Sequence, residues 1–353
     1  MQQISTALLS YGMSGKIFHA PFLELHPGFE LVGAWERSKK LINDDFPMVR
    51  SYPTLEAVLK DPQVELVIVN TPTETHFEYA KAALEAGKHV LVEKAFTTTV
   101  AEAEELYELA QEKNLKLAVF QNRRYDSDFR TVKDIFDKDI LGDIVEAEFH
   151  FDRFNPNLSP KAHKEVRTGG SGVLKDLGPH IIDQAMFLFG FPECLFADIR
   201  VTRENSVVDD WFDITLFYKK FRVRLKSSYF VREPLPSYVI HGTKGSFIKS
   251  RGDVQEDELK TGKKPMVTDW GKEPDFRKGV LHTEIEGLEV REHVPTLPGN
   301  YYYFFDDLYQ AIKKHKAVPV SAEDGIKTMR IIEAAIESSS EKKIIQFQSV
   351  QVS

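Results

Sequence analysis

The second half of the chain carries a carboxylate and an imidazole at a spacing that suits proton transfer. Asp176 and His180 lie four residues apart, and Pro179 between them is typical of the first turn of a helix. If the preceding turn is near-helical, both side chains fall on one face, where the carboxylate can orient the imidazole. Histidine exchanges a proton near neutral pH, so the pair predicts acid–base chemistry. An Asp that caps a helix beside a half-buried His is the alternative.

A lysine in the first half could stabilise negative charge in such a reaction. Lys94 follows the apolar run His89–Val92 and Glu93, which places it at the carboxyl end of a predicted strand. Ligands bind at this edge of open α/β sheets. Thr71 and Pro72 follow another predicted strand at the same edge. A partly desolvated ammonium there suits proton transfer or alkoxide stabilisation, whereas a merely solvated lysine is the alternative.

A glycine-containing turn after the first predicted strand indicates a dinucleotide site. Ser10–Gly15 matches the G-x-G-x-x-G pattern, with Ser10 in place of the first glycine. Gly12 would let the backbone approach a pyrophosphate, and Gly15 would let the following helix pack closely. The phosphates would then lie on free amides at the helix start. Ser10 could strain the turn, and an ordinary strand-to-helix turn is the alternative.

The end of the second predicted strand gives conflicting signals about the dinucleotide. Glu36 would bind the ribose hydroxyls of NAD, whereas Arg37 with Ser38 favours the 2′-phosphate of NADP. We predict NADP, because a flexible Glu side chain can turn aside more easily than a phosphate can do without its cation. NAD and a simple solvated charge pair are the two alternatives.

The elements that must position these residues divide the chain into two unlike halves. Up to about residue 120, short apolar runs alternate with helical patterns, which is typical of a doubly wound parallel sheet. The predicted strands are Ile4–Leu9, Phe29–Trp35, Val64–Val69, His89–Glu93 and Leu115–Phe120. Thr75-x-x-Glu78 and Thr99-x-x-Glu102 predict capping boxes at helix starts, and Gly87 fits a helix end.

After about residue 140, alternation of apolar and polar residues predicts a largely antiparallel sheet with one covered face. The predicted strands are Ile144–Phe151, Leu195–Thr202, Trp211–Tyr218, Phe221–Phe230 and Tyr238–His241. The predicted helices are Pro179–Phe189, Tyr302–Lys314 and Ala322–Ser339. Residues 251–277, rich in Gly, Lys, Asp, Glu and Pro, predict a long surface excursion. The fold class is therefore α/β followed by α+β.

Length, charge and cysteine content exclude several functional classes. The 353 residues predict two domains. With 46 basic and 54 acidic residues, the net charge of −8 argues against a nucleic acid partner. Cys194 is the only cysteine, so we expect a reducing, cytoplasmic location. No signal peptide or membrane span is expected, and the histidine spacing predicts no metal site.

Four motifs together resemble one family of oxidoreductases. They are Gly12-x-x-Gly15, Thr71-Pro72-x-x-x-His76, Glu93-Lys94 and Asp176-x-Gly178-x-His180. In this order and spacing they are similar to the Gfo/Idh/MocA family, which contains glucose–fructose oxidoreductases and inositol dehydrogenases. Further segments resemble the branch with NADP-dependent scyllo-inositol dehydrogenases, namely Phe18–Phe22, Gln121–Tyr125, Ile181–Gln184 and Arg330–Ala335. The resemblance covers essentially the whole chain.

The resemblance implies a domain organisation and an assembly. Residues 1–122 would form a Rossmann dinucleotide-binding domain, and residues 123–345 a C-terminal α/β domain for substrate binding and oligomerisation, followed by a tail over 346–353. The last helix would pack back on the first domain. A large, mostly antiparallel open sheet in the second domain would join copies into a homodimer or homotetramer. The family usually has proline after the lysine of the third motif, where this chain has Ala95.

The resemblance also implies reversible oxidation of a secondary hydroxyl on a cyclitol or sugar by NADP or NAD. His180 would accept the hydroxyl proton, Lys94 would stabilise the developing alkoxide, and Asp176 would orient His180 or bind substrate hydroxyls. The expected cofactor-binding residues are Ser10, Gly12, Met13, Ser14, Gly15, Glu36, Arg37, Ser38, Thr71, Pro72, His76, Glu93 and Asn122. The expected substrate-binding residues are Arg123, Tyr125, Arg153 and Asp183.

Two other functions stay open at this point. One is a regulatory protein that binds the nucleotide as a sensor without turnover, and the other is an aldose or dihydrodiol dehydrogenase with the same reacting groups. Arg153 could equally be a surface charge on a strand.

Overall fold

The computed structural model describes residues 2–37, 39–160 and 164–347. The chain divides into two compact units, each made of three stretches of sequence. Unit 1 comprises Met1–Tyr125, Val254–Gly271 and Asn300–Ile326, and unit 2 comprises Asp126–Asp253, Lys272–Gly299 and Lys327–Ser353. The compact units are therefore discontinuous in sequence, and the division into domains at residues 122 and 123 stays a prediction.

Unit 1 is built on a six-stranded parallel sheet. Its strands are β1 (Ile4–Leu8), β2 (Phe29–Trp35), β3 (Arg50–Tyr52), β4 (Leu66–Val69), β5 (His89–Glu93) and β6 (Leu117–Phe120). They lie in the order β3-β2-β1-β4-β5-β6, and every neighbouring pair is parallel. This is the doubly wound Rossmann order, so the predicted fold of the first half is confirmed. The strand β3 was not predicted, because it has only three residues.

Helices follow the strands of unit 1, and their ends test the predicted caps. After a π-helical turn over Gly15–His19 come α1 (Ala20–Leu25), α2 (Ile42–Asp45), α3 (Leu55–Lys60), α4 (His76–Glu85) and α5 (Val100–Glu112). The capping box between Thr99 and Glu102 is confirmed at the start of α5. The cap predicted at Thr75 is wrong, because its hydroxyl donates to the carbonyl of Pro72 at 2.8 Å instead. Gly87 ends α4 with φ of 77°, as predicted.

Unit 2 is built on a nine-stranded sheet. Its strands are β7 (Ile144–His150), β8 (Cys194–Arg200), β9 (Trp211–Phe217), β10 (Arg222–Ser228), β11 (Tyr238–Gly242), β12 (Gly245–Lys249), β13 (Gly279–Ile285), β14 (Leu288–Val294) and β15 (Ile345–Gln346). They lie in the order β14-β13-β12-β11-β7-β10-β9-β8-β15. All neighbouring pairs are antiparallel except β10 with β7. The predicted large, mostly antiparallel sheet is confirmed, although β12 to β15 were not predicted.

The register of this sheet separates a covered face from an open one. One row of cross-strand neighbours is buried throughout and consists of Leu195, Leu216, Val223, Ala147, Ile240, Phe247 and Leu281. The next row points the other way and is exposed or half-buried; it consists of Phe196, Thr215, Arg224, Glu148, Val239 and Ile248. Alternate residues of a strand point to opposite faces, so within unit 2 this second face is uncovered.

Three helices of unit 2 precede or interrupt the strands. They are α6 (Ser127–Asp137), α7 (Val173–Asp176) and α8 (Gly178–Phe189). The helix α8 is buried over most of its residues and packs on β7 and β10, which explains why apolar residues predominate in its sequence. Pro179 lies in its first turn, as predicted. The helix α6 was not predicted.

Two later segments of the chain pack into unit 1. They contain α9 (Gln255–Lys260) and α10 (Tyr302–Lys314), and α11 (Ala322–Glu341) follows them. The side chain of Gln255 is buried, accepting hydrogen bonds from the indole of Trp270 at 3.2 Å and from the backbone N–H of Tyr301 at 2.8 Å. Most of residues 251–277 are exposed, as predicted, but Gln255, Leu259 and Trp270 are buried, so part of the segment contributes to a core.

Over residues 2–37, 39–160 and 164–347, no helix is both long enough and apolar enough to cross a membrane.

Candidate dinucleotide site and catalytic residues

The turn after β1 approaches its neighbours closely. A Cβ on Gly15 would lie 2.5 Å from the carbonyl oxygen of Ser10 and 3.0 Å from the amide nitrogen of Asn70. Only glycine fits there, and the Asn70 amide donates to the same carbonyl at 2.8 Å. A Cβ on Gly12 would meet only the Ser10 hydroxyl, at an ordinary 3.5 Å. The outer side of Gly12 is therefore open to a ligand.

Ser10 fits this turn without the strain that we expected. Its hydroxyl accepts a hydrogen bond from the backbone N–H of Gly12 at 3.2 Å, which is a turn-forming contact that glycine cannot make. Ser10 is not among the described residues with positive φ. The expectation of strain is wrong, because the serine supports the turn through its own side chain.

A cavity of about 270 Å³ opens at the carboxyl ends of β1, β2 and β4. Six predicted cofactor residues line it, namely Ser10, Gly12, Glu36, Arg37, Thr71 and Pro72. The sequence had not pointed to the other lining residues, which are Leu9, Tyr11, Trp35, Lys39, Leu41, Thr75 and Tyr79. Most of them lie within a few positions of a predicted residue, and Tyr79 lies one helical turn after Thr75, so helical spacing could have found it.

The charged side chains that line this cavity differ in the contacts they make within the protein. The carboxylate of Glu36 accepts hydrogen bonds from the backbone N–H groups of Leu41 and Ile42, each at 3.1 Å, where α2 begins. Arg37 and Lys39 are exposed and line the cavity, and neither has an ion-pair partner within the described ranges. The predicted residue Ser38 lies outside the described residues.

These residues fit an adenine dinucleotide. The indole of Trp35 and the ring of Tyr79 meet edge-on, with their centroids 5.5 Å apart, and form an aromatic wall against which the flat ring of a base can pack. The side chains of Arg37 and Lys39, which line the cavity, can bind a phosphate group through charge-assisted hydrogen bonds. Gly12 leaves open the backbone approach that a pyrophosphate needs.

His76 lies behind the cavity rather than in its lining. It is buried, with Nε2 at 2.8 Å from the carbonyl oxygen of Thr71 and Nδ1 at 2.9 Å from that of Ala95. Burial lowers the pKa of His76, although the two carbonyls oppose this shift. The imidazole joins the segments that follow β4 and β5, so it holds the edge of the sheet together.

Glu93 is held beneath the glycine turn. Its Oε1 accepts hydrogen bonds from the hydroxyl of Ser14 and from His19 Nε2, the latter at 2.9 Å. Its Oε2 accepts the backbone N–H of Lys94 at 3.3 Å. Burial would raise the pKa of Glu93, but the contacts with His19, Ser14 and Lys94 outweigh it and hold the pKa below its usual range. The peptide bond from Lys94 to Ala95 is cis.

His19 is the residue of this cluster that the sequence did not single out as a site residue. It belonged to a segment that carried the family resemblance, and that membership was its only signal. Met13, also predicted to bind the cofactor, is 54% exposed and outside the cavity lining. Asn122 is buried at the start of a short 3₁₀ turn.

In unit 2, Asp176 ends α7 and His180 lies in the first turn of α8. Leu177 between the two helices keeps right-handed helical angles, φ −103° and ψ −29°, so the predicted near-helical turn is present. Asp176 Oδ2 lies 3.4 Å from Lys164 Nζ. His180 is buried, and its ring centroid lies 5.9 Å from that of Phe151.

Two of the predicted substrate residues share the surroundings of His180. Arg153 is exposed, with its guanidinium carbon 5.5 Å from the centroid of the Phe151 ring. Asp183 is buried one turn after His180 on α8. Phe151 thus lies beside both the imidazole and the guanidinium, and the assignment of Arg153 to substrate stays a prediction.

The other two predicted substrate residues lie in unit 1 and have partners there. Arg123 forms an ion pair with Glu256 and donates a hydrogen bond to the Tyr301 hydroxyl at 3.0 Å. The hydroxyl of Tyr125 donates to Asp307 at 2.7 Å. These contacts give both residues a structural explanation, and their assignment to substrate stays a prediction.

Comparisons with known proteins agree with this geometry. Residues 4–121 match a family model described as oxidoreductase family, NAD-binding Rossmann fold, and residues 133–347 match oxidoreductase family, C-terminal alpha/beta domain. The chain is 39% identical to scyllo-inositol 2-dehydrogenase (NADP(+)) IolW of Bacillus subtilis, over 98% of this chain and 96% of that protein. It is also 39% identical to the uncharacterized oxidoreductase YdgJ of Escherichia coli, over 95% and 96% of the two chains.

A solved structure shows the same fold over the whole length. An oxidoreductase from Bacillus cereus superposes with a TM-score of 0.91 at 30% identity, covering 99% of this chain and 100% of that one. The two family matches together span nearly the whole chain. The Rossmann sheet and the cavity at its carboxyl edge agree with the first of them. The chain is therefore an oxidoreductase with an NAD(P)-binding domain, and it belongs to the Gfo/Idh/MocA family.

Proposed function

We propose that this protein is an NADP-dependent dehydrogenase that oxidises a secondary hydroxyl of a cyclitol or related sugar, with scyllo-inositol as the type of substrate. The observation that carries the proposal is the 39% identity, over 98% of the chain, to a relative named scyllo-inositol 2-dehydrogenase (NADP(+)). Four charged or ionisable groups of the family motifs are retained in this chain, namely Glu93, Lys94, Asp176 and His180.

The preference for NADP is supported by the charges at the cavity. Glu36, which would bind the ribose hydroxyls of NAD, is committed to two backbone amides at the start of α2. Arg37 and Lys39 line the cavity and can bind a 2′-phosphate, since a guanidinium matches its geometry. When bound, the nicotinamide exchanges a hydride with the substrate carbon.

The roles of the chain's own residues follow from their chemistry. Lys94 stabilises negative charge that develops on the substrate oxygen, because a preorganised cation favours the charged transition state. His180 takes the hydroxyl proton, as an imidazole can do near neutral pH. Asp176 orients His180 or accepts a hydrogen bond from a neighbouring substrate hydroxyl.

Specificity for a polyol is supported by the polar residues near His180. Arg153 and Asp183 lie beside the same ring or on the same helix as the imidazole. A charged donor and a carboxylate can each bind ring hydroxyls by hydrogen bonds.

We also assign the open face of the unit 2 sheet to contact between copies of this chain, as a homodimer or homotetramer. An uncovered sheet face with Phe196 and Ile248 among its exposed residues is typical of a subunit interface. A cytoplasmic location is proposed on the single cysteine, since reducing compartments do not call for disulfides.

The proposal is tested by nucleotide binding followed by turnover. The protein is titrated with NADPH and with NADH, and the tighter nucleotide is used with a panel of inositols, aldoses and dihydrodiols while absorbance of the reduced nicotinamide is followed. We expect tighter NADPH binding and turnover with cyclitols. Tight binding without turnover on the panel indicates a sensor, and turnover confined to aldoses or dihydrodiols indicates the other dehydrogenase class.

A variant separates the enzyme from a contaminating activity. Lys94→Ala should lower kcat on the order of 10²- to 10³-fold, as loss of a group that stabilises the transition-state charge does. Lys113→Ala, at the exposed end of α5, is the matched control and should leave kcat unchanged. Unchanged turnover in Lys94→Ala would refute the role of this lysine.

A further inference from the structure

We infer that His19 is a positioning residue, which fixes the backbone that carries Lys94 by holding the carboxylate of Glu93. The inference rests on the catalytic role proposed for Lys94. Every contact that it uses lies within unit 1.

The contacts form a short chain from the π-helical turn over Gly15–His19 to the lysine. His19 Nε2 lies 2.9 Å from Glu93 Oε1, and the other carboxylate oxygen of Glu93 accepts the backbone N–H of Lys94 at 3.3 Å. His19 is fully buried. The orientation of the Lys94 peptide therefore depends on where the Glu93 carboxylate is held, and His19 is the buried group that holds it.

The ring of His19 packs against aromatic side chains and directs its Nε2 toward Glu93. His19 ends the π-helical turn over Gly15–His19, and its ring centroid lies 4.4 Å from that of Phe120 and 6.2 Å from that of Phe305. Its Nδ1 is buried and has no hydrogen-bond partner within the described part of the chain. The ring can thus serve Glu93 as a single donor through Nε2–H.

The same carboxylate oxygen links the lysine to the nucleotide turn. Ser14, in the glycine turn, donates its hydroxyl to Glu93 Oε1 beside His19. Removing even part of a carboxylate from water is costly, and the hydrogen bonds of the half-buried Glu93 side chain join the glycine turn on one side to the Lys94 backbone on the other. Glu93 therefore connects the glycine turn to the Lys94 backbone, and the hydrogen bond from His19 fixes the position of its carboxylate.

Two substitutions of His19 separate positioning from packing. His19→Leu keeps an apolar side chain of similar bulk but removes the donor, whereas His19→Gln supplies an amide N–H in its place. His26→Leu is the matched control, because His26 is equally buried in the same region and its Nε2 contacts Asp306 at 3.2 Å instead of Glu93. For each variant, kcat, KM, the Kd for NADPH and the Tm are measured on the full-length protein.

We expect His19→Leu to lower kcat by ~10- to 100-fold, since small displacements of a reacting group have effects of this size. KM and the Kd for NADPH should change little, and His19→Gln should restore most of kcat. His26→Leu should lower the Tm and leave kcat intact. In a Lys94→Ala background, His19→Leu should cause no further loss of kcat, because residues that act through one another are not additive.

The outcomes distinguish this inference from the proposed function. If Lys94→Ala keeps its activity, the catalytic role proposed for Lys94 fails, and the positioning role of His19 is overturned with it. If Lys94→Ala loses activity while His19→Leu keeps kcat, the positioning role is overturned and the proposed function stands. Failure of His19→Gln to restore kcat, or an equal loss of kcat in His26→Leu, would show that His19 acts through stability alone and would also overturn the inference.

Discussion

The carboxylate of Glu36 accepts the backbone N–H of Ile42 at 3.1 Å, so the acidic residue after β2 caps the start of α2. The capping bond satisfies an amide that the helix itself leaves unpaired, and the negative charge lies at the favourable end of the helix dipole. An acid at this place in a Rossmann sheet would otherwise bind the ribose of NAD. Because Glu36 is hydrogen-bonded to α2, Arg37 and Lys39 are the charged groups of the cavity lining that can contact a bound nucleotide.

The first prediction concerns the choice of nucleotide. Arg37→Ala should weaken NADPH binding by ~10- to 100-fold, because hydrogen bonds between charged groups are worth about 1.5–3 kcal/mol. NADH lacks the 2′-phosphate, so its Kd should be unchanged. Calorimetric titration of both nucleotides checks this. Lys40→Ala, exposed and outside the cavity lining, is the control, and equal losses for NADPH and NADH in Arg37→Ala would contradict the assignment.

The second prediction separates the two glycines of the turn. Gly15→Ala should destabilise the protein by about 1–3 kcal/mol, because the added methyl group would lie 2.5 Å from the Ser10 carbonyl. Gly12→Ala should leave the free energy of unfolding nearly unchanged, since its Cβ meets only an ordinary contact. Gly12→Ala should nevertheless weaken the binding of both NADPH and NADH, because the methyl group occupies the side from which the pyrophosphate approaches.

Urea unfolding and nucleotide titration of both variants check this pair. A Gly12→Ala protein that binds both nucleotides normally would show that the pyrophosphate does not lie against Gly12. A Gly15→Ala protein of wild-type stability would show that the helix can move away from the turn.

Local sequence patterns were sufficient for ten of the strands, for the glycine turn and for the near-helical step between Asp176 and His180, but not for β3 and β12 to β15. What they could not predict are the partners that folding brings from far along the chain. His19 and Glu93 are 74 residues apart, and Arg123 and Glu256 are 133 apart. No local pattern signals such a pair, because each side chain is equally compatible with solvent until its partner is placed.

The same limit explains the two wrong predictions about small polar groups. The threonine at the start of α4 and the serine of the glycine turn each had two acceptable hydrogen-bond partners nearby. Thr75 donates to a carbonyl rather than capping its helix, and Ser10 accepts from Gly12 rather than straining its turn. Which partner is chosen depends on the exact path of the backbone, which residue type alone does not define.

The third prediction is a dependence of stability on pH. Burial would raise the pKa of Glu256, but the charge of Arg123 and the contact with Lys260 lower it from 4.5 to about 2. Because the folded pKa lies below the unfolded one, the pair stabilises the folded protein above pH 4.5. This stability, on the order of 3 kcal/mol, is lost as the pH falls from 4.5 toward 2.

Unfolding in urea between pH 2 and pH 7 measures this slope. In Glu256→Gln the carboxylate is absent, so the stability of the variant should fall less steeply than that of the wild type between pH 4.5 and pH 2. Glu204→Gln, an exposed carboxylate in unit 2, is the control and should follow the wild type. Parallel slopes for Glu256→Gln and the wild type would show that Glu256 is not held ionised by Arg123.

The fourth prediction tests the open face of the unit 2 sheet. Ile248 is 36% exposed and lies in the outward-pointing row of the unit 2 sheet. The opposite face of the same strands is buried. If copies of the chain meet on this face, Ile248→Asp places a charge in an apolar contact, and we expect a cost of about 2 kcal/mol or more, as at a binding hot spot. The dissociation constant of the assembly should then rise by at least ~30-fold, which light scattering over a dilution series would detect as a shift to the monomer mass.

The control for this measurement is Met48→Asp, an equally apolar-to-acidic change at a side chain of unit 1 that is 96% exposed. It should leave the mass of the assembly unchanged, because nothing apolar is lost where the residue is already in water. A wild-type protein that is monomeric throughout the series would refute the assembly itself. An oligomer that Ile248→Asp does not weaken would instead place the interface on another surface, because a charge buried in an apolar contact cannot be accommodated without cost.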